Sequence, residues 1–384
     1  MSERLFTPRF FIMCAYSFTV FVSVFQLLPT APYHIIDLGG SRPESGLFLG
    51  FLAFASAASA PFTGSIGDRL GQRRVLIVVS LILAGFTLSY TFITDHRVLL
   101  ALVIPHGLVW SALLSAQGAY MTQTVPESRR AEGISYWGLA SVLAVAGAPS
   151  LGFWIYRYGW AALTIELTVL NLLMAVVAWR LPDDRAADHH AVDHPPHYAI
   201  EWRVLLLSVT MAMISFGYGA LTSFSSPFAD HLHVWPRGLF LTGMAAAVLT
   251  GRLTIGRSLD RIGHRRILLR CSAVPAIGIV LLALSQGTVT FLASALVFGA
   301  GFGLMHPAYT AYVMAHVSPL RRGAAFGAMI AAFDTGIGSG SSAMGWFVHH
   351  IGYRWGFAAV AVVAALALPM FLIAEKRLGF ARPQ

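Results

Sequence analysis

The sequence predicts an all-α membrane protein of twelve transmembrane helices, arranged as two pseudo-symmetric six-helix bundles. Three observations carry this. The 384 residues are 57% hydrophobic and only 11% charged, with a mean hydropathy of +0.69. The apolar residues fall into runs long enough to span a bilayer, and one loop sequence recurs at half the chain length. Soluble domains run about 45–50% apolar and about 25% charged. A chain of this size cannot withdraw so much apolar surface from water by folding alone. Lipid is the solvent that fits.

A helix needs about 20 apolar residues to cross a hydrocarbon core of about 30 Å. Read between charged and Pro/Gly breaks, the spans cover 10–31, 46–67, 75–94, 98–121, 133–156 and 160–180, then 204–228, 238–258, 267–286, 289–315, 324–348 and 355–375. No small-residue cleavage site follows the first span, which reads as a retained helix and not a signal peptide. Only Arg157, Tyr158 and Gly159 separate the fifth span from the sixth. The longest polar stretch, 181–201, reads as a cytoplasmic linker between a first bundle over 1–180 and a second over 202–384.

Charge sets the orientation. The formal net charge is +9 and the sequence pI is about 9.9. The basic residues form short clusters between apolar runs, not one stripe, which argues against nucleic acid as a partner. Loops on one side hold 20 of the 26 Lys and Arg residues. The opposite loops hold Arg42, Arg97, Arg157, Arg237 and Arg354, and Arg252 lies inside the eighth span. Positive charge stays inside, so both termini are expected in the cytoplasm, which requires an even number of spans. Cys14 and Cys271 both lie in apolar runs and suggest no disulfide framework.

The repeat is specific. Residues 64–76 (GSIGDRLGQRRVL) align with 256–268 (GRSLDRIGHRRIL) at an offset of 192, with seven of thirteen positions identical. At the same offset Arg129 and Arg130 meet Arg321 and Arg322, and Ala119 and Tyr120 meet Ala311 and Tyr312. Parallel six-helix repeats about an axis along the membrane normal are one architecture used by transporters. In the first copy Asp68 ends one helix, where the dipole disfavours an anion, and Arg73 and Arg74 begin the next, where it disfavours cations. Each therefore needs other partners, and a switchable latch between the halves is the reading that follows.

The pattern Gly-x-x-x-Asp-Arg-x-Gly-x-Arg-Arg resembles the signature loop of the major facilitator superfamily. Here it is carried by Gly64, Asp68, Arg69, Gly71, Arg73 and Arg74, and again by Gly256, Asp260, Arg261, Gly263, Arg265 and Arg266. The resemblance covers nearly the whole chain. The stretches LLPTAPYHIIDLGGS and RRGAAFGAMIAAFDTGIG are similar to bacterial efflux permeases for sugars and drugs. The resemblance implies a bacterial inner membrane, alternating access, and a latch closed in the outward-facing state. It also implies cavity walls from the first, fourth, seventh and tenth spans. Gln26, Trp110, Gln117, Tyr218 and Tyr309 are the polar and aromatic substrate-binding candidates on those spans. Two stretches differ from proton-antiporting members: Val103 stands where an arginine often precedes the pair His106-Gly107, and 148–153 reads Ala-Pro-Ser-Leu-Gly-Phe.

Ionisable groups inside a membrane are costly, and they mark function or a structural partner. Asp334 lies twelve residues past Arg322, which is about 18 Å along a helix. It is the first candidate for proton coupling, with a hydrogen bond across a helix interface as the plainer alternative. His106 and His306 lie at similar depth and are the other coupling candidates. Arg252 could bind an anionic solute or pair with Asp334. Glu166 falls on the sixth span, which the resemblance places at the periphery. The small-residue pairs Gly299/Gly303 and Gly336/Gly340 suggest close, gliding helix contacts.

Two histidine-rich segments, His189–His197 in the linker and Asp230, His231 and His233, read as solvated loops, so no metal site is expected. No converging nucleophile, acid–base pair, metal-ligand spacing or phosphate loop marks an enzyme or an ATP-driven pump, and no cofactor is expected. The leading expectation is a monomeric secondary transporter, coupled to protons and exporting an amphipathic compound or a sugar. An importer or facilitator of small organic anions through Arg252 is the alternative within this fold. A receptor or membrane enzyme is the alternative outside it.

Overall fold

A computed structural model describes residues 5–126, 129–182, 202–255, 263–318 and 322–378. The first half forms α1 (Pro8–Asp37), α2 (Arg42–Leu70), α3 (Gln72–Tyr90), α4 (His96–Thr124), α5 (Arg130–Tyr156) and α6 (Trp160–Trp179). The second forms α7 (Trp202–His231), α8 (Leu239–Ile255), α9 (His264–Ser272), α10 (Val274–Ala283), α11 (Thr288–His316) and α12 (Arg322–Arg377). Ten spans among the described residues are long and apolar enough to cross a membrane, with α9 and α10 counted as one. Gly352 breaks α12 into two limbs, 322–351 and 353–377, and α8 is a shorter apolar helix. Together these supply the twelve spans.

Local chemistry sets the helix ends. Thr7 caps α1 by accepting from the Phe10 amide, with Pro8 in the first turn, where no amide hydrogen is needed. Ser41 and Glu44 form a reciprocal capping box at the start of α2. Gly71 (φ 86°) turns α2 into α3, and its repeat partner Gly263 (φ 91°) precedes α9 in the same conformation. A side chain resists that left-handed region, which explains why both copies of the loop carry glycine there. Pro275 starts α10 directly after α9 and divides the ninth span, read as one helix from sequence, into two segments.

Packing repeats with the sequence. In the first half α1 packs on α5, α2 on α4, and α3 on α6. In the second half α7 packs on the first limb of α12, α8 on α11, and α10 on α12. The halves meet through α2 with α12 and through α5 with α8, contacts that the pseudo-symmetry exchanges, and through α1 with α7.

The glycine pairs bring helix backbones close together, as their spacing suggests. A Cβ at Gly336 or Gly340 would overlap the α7 backbone at Ala212 or Phe216, and one at Gly299 would overlap the Met244 carbonyl of α8. These approaches lie inside one bundle. Small-residue contacts between bundles include Gly46 against the Ser341 carbonyl, and Gly338, 3.0 Å from the Gly50 carbonyl as a Cβ would sit.

Candidate functional site at the junction of the bundles

A cavity of about 360 Å³ lies where the halves meet. Its wall from the first half is apolar and aromatic: Phe21 and Phe25 of α1, Leu52 of α2, Trp110 of α4, and Val142 and Val145 of α5. The polar exceptions on that wall are Ser56 and Ser141. From the second half come Tyr218, Arg252, His306 and Asp334, set among Met244, Val248, Phe302 and Phe333. Among the described residues, the ionisable groups lining the cavity thus all come from one half. Tyr218 stacks on Phe302 with ring centroids 4.8 Å apart, and Phe333 meets the His306 ring edge-on at 5.3 Å. Trp110 stands edge-on to Phe21 at 6.3 Å.

Ser56 Oγ donates to Asp334 Oδ2 at 2.7 Å, bridging α2 and α12 across the junction. The Arg252–Asp334 ion pair considered from sequence does not form. Arg252 makes no hydrogen bond or ion pair to any described residue, and its buried Nε has no partner. Its guanidinium reaches α5, where a Cβ at Gly138 would lie 3.3 Å from Nη1. His306 is within electrostatic range of it.

The structure brings five sequence candidates to the cavity: Trp110, Tyr218, Arg252, His306 and Asp334. Four others point elsewhere. Gln26 is fully buried between α1 and α6 and donates to Glu166 Oε1 at 3.2 Å. Gln117 accepts from Ser17 at 3.3 Å inside the first bundle. The Tyr309 hydroxyl donates to Ser208 Oγ at 3.2 Å inside the second. His106 stacks flat on Phe86, with centroids 5.4 Å apart, and its Nδ1 shares a 2.8 Å hydrogen bond with the Tyr90 hydroxyl.

The repeated loop is partly visible. The side-chain surroundings of Gly64, Asp68 and Arg69, all of Gly256, Asp260 and Arg261, and the linker histidines lie outside the described residues. Arg73 Nη2 donates to the Trp179 carbonyl at 2.7 Å. Its repeat partner Arg265 makes two bonds, at 2.6 and 2.7 Å, to Glu375, which is 2% exposed and also accepts from Tyr312 at 2.6 Å. Both arginines are tied within their own bundles, at the ends of α6 and α12. Arg74 and Arg266 are exposed.

The opposite end of the molecule, at the α1–α2 and α7–α8 turns, is joined across the halves. Asp230 accepts from the Tyr33 hydroxyl and from Arg237 Nε, each at 2.8 Å, and Arg237 lies over the Tyr33 ring at 5.2 Å. Ser341 donates to the Gly46 carbonyl at 2.8 Å, and Thr242 to the Ala146 carbonyl at 2.8 Å. Sequence reasoning missed this junction, since Tyr33 and Asp230 are 197 residues apart. It also missed Ser56 and the cavity phenylalanines.

A signal for part of the site was present. Positions 192 apart face the cavity together: Trp110 with Phe302, Leu114 with His306, Val142 with Asp334, and Val145 with Ile337. The two coupling candidates in the cavity, Asp334 and His306, stand where the second copy is ionisable and the first is aliphatic.

Two six-helix bundles about a central amphipathic cavity, bounded by membrane-spanning helices, define a membrane transporter. The Major Facilitator Superfamily family model matches residues 9–317 and 238–382, so the chain belongs to that superfamily. It is 25% identical over 374 residues to the uncharacterized MFS-type transporter YhhS of Escherichia coli (strain K12), covering 94% of this chain and 91% of that one. It is 24% identical over 334 residues to the staphylopine export protein of Staphylococcus aureus (strain Mu50 / ATCC 700699), covering 83% and 84%. Among solved structures, the nucleoside transporter NupG superposes with a TM-score of 0.77 at 16% identity, over 96% of this chain and 100% of that one.

Proposed function

We propose that the chain exports a small amphipathic solute from the cytoplasm in exchange for protons, with Asp334 as the coupling group. The observation that carries this is the position of Asp334, a carboxylate on the cavity wall held by a serine of the other half. Ionised, it accepts from Ser56. Protonated, it becomes a donor, so gain or loss of a proton alters a bond between the halves and the polarity of the solute site together. The one-sided cavity suits a solute with an apolar body against the first half and a polar head against the second. Similarity to a named export protein supports the direction. The arginine asymmetry supports an inner-membrane orientation with both termini cytoplasmic. The cavity then faces the cytoplasm behind the junction built on Tyr33, Asp230 and Arg237.

The test is reconstitution in liposomes with a pH reporter inside, under an imposed solute gradient. Solute-dependent proton movement of opposite sense is expected for the wild type. Asp334→Asn should abolish it while the protein stays folded. Unaltered exchange by a folded Asp334→Asn protein would remove Asp334 from the mechanism, and solute flux without proton movement would make the chain a facilitator.

A further inference from the structure

We infer that the solute is a zwitterion with an apolar body, its anionic group seated on Arg252 and its ammonium group on Asp334. The inference rests on the reading above, in which this cavity is the solute site. Two unlike charges face one mostly apolar space of about 360 Å³ and do not neutralise each other. Asp334 is bound by Ser56, and Arg252 has no partner among the described residues. Arg252 is partly buried, with its Nε shut off from water and the side chain lining the cavity, so water or a ligand in the cavity supplies the complement of a charge that is costly to leave unpaired. A cavity of a few hundred cubic ångströms is the size that encloses a small organic molecule. The aromatic wall of Phe21, Phe25 and Trp110 supplies the surface for its apolar part.

Exchange narrows the choice further. An ammonium group and a proton compete for the same carboxylate, so binding one releases the other, as antiport requires. A solute carrying only an anion would bind best with Asp334 protonated, and solute and proton would then travel together. A solute carrying only a cation would leave Arg252 unpaired and would be repelled by it. His306, beside Arg252, is a further ionisable group on the wall. Neutral, it can donate a further hydrogen bond to the anionic group. One head group bearing both charges satisfies Arg252 and Asp334 and leaves the coupling chemistry intact.

The experiment is calorimetric titration of the purified full chain in lipid nanodiscs with four probes sharing one body: naphthylalanine, naphthylpropionate, naphthylethylamine and naphthylpropanol. The zwitterion should bind at least about tenfold tighter than either singly charged probe, since each charge gains a charge-assisted contact. Arg252→Gln should reduce the zwitterion to the affinity of the amine, and Asp334→Asn to that of the carboxylate. Arg252→Lys, which keeps the charge, should retain the preference. Naphthylpropanol should bind all four proteins alike, which shows an intact cavity. If the alcohol binds but the zwitterion has no advantage, or if both variants weaken all probes equally, the zwitterion assignment is wrong and the amphipathic reading stands. If no probe binds the folded wild type, the amphipathic reading fails and this inference with it.

Discussion

The junction at Tyr33, Asp230 and Arg237 holds one end of the molecule shut, and its strength can be worked from its geometry. The perturbation is Asp230→Ala. Arg237 and Asp230 belong to the same half, so their half-exposed pair, with side chains 41% and 36% accessible, orients Asp230 and persists when the halves part. The Tyr33 hydroxyl donates to an ionised acceptor at 2.8 Å, a class of bond worth about 1.5–3 kcal/mol, and partial exposure puts it near the lower end. Of the two, only the Tyr33 bond crosses the halves, so losing it should favour the state open at this end by about 1.5–2 kcal/mol, or about 10- to 30-fold in the ratio of states. The assay is labelling of a cysteine at Leu28, a cavity position on α1, with Cys14 and Cys271 replaced by serine. A membrane-impermeant thiol reagent is added from the side of the α1–α2 turn. The labelling rate follows the open population until that state dominates, so Asp230→Ala should raise it by about tenfold, and Tyr33→Phe, which removes the same bond, by a similar factor. Equal rates in wild type and Asp230→Ala would refute the reasoning and leave the backbone contacts at Gly46 and Ala146 as the closure.

Other expectations follow from single contacts. Arg265→Ala strands the nearly buried Glu375 carboxylate with Tyr312. It should cost about 2–4 kcal/mol, somewhat below a fully buried pair because Arg265 is half-exposed. Thermal unfolding in detergent checks it, and a loss no larger than that of the exposed Arg266→Ala would count against the geometry. His106→Ala removes a ring stack and the partner of the buried Tyr90 hydroxyl. It should lower stability by about 2–3 kcal/mol with transport per folded molecule unchanged, whereas lost proton movement at normal yield would restore His106 as a coupling group. Gly138→Val crowds the Arg252 guanidinium and should weaken naphthylalanine about tenfold with little effect on naphthylpropanol. Equal losses for both probes would mean that α5 itself had moved.

Spans, turns and the repeat were legible in the sequence because each has a local cause. Apolar length specifies a span, and Gly71 and Gly263 mark turns that disfavour a side chain. Faces were not legible. Gln26, Gln117 and Tyr309 lie on helices that do line the cavity, yet they turn toward Glu166, Ser17 and Ser208. In a soluble helix the buried side announces itself by its apolar stripe. In lipid both the packed side and the exposed side are apolar, so that stripe fades. The partner of Arg265 was hidden for a related reason: a charge at a helix start demands a partner, but the demand does not say that Glu375 of the same bundle meets it.

What survives this loss of contrast is the difference between the two copies. A duplicated fold places residues 192 apart in equivalent surroundings, so Val142 and Asp334 face the same cavity from opposite sides, as do Leu114 and His306. Packing alone would accept an aliphatic residue in both copies, as at Val145 and Ile337. A carboxylate in one copy only is expensive in that setting. The expense breaks the symmetry of the cavity and gives its solute a polar end and an apolar end. The same comparison at Arg252 finds Ala60, so both charges assigned to the solute's head group are departures from the repeat.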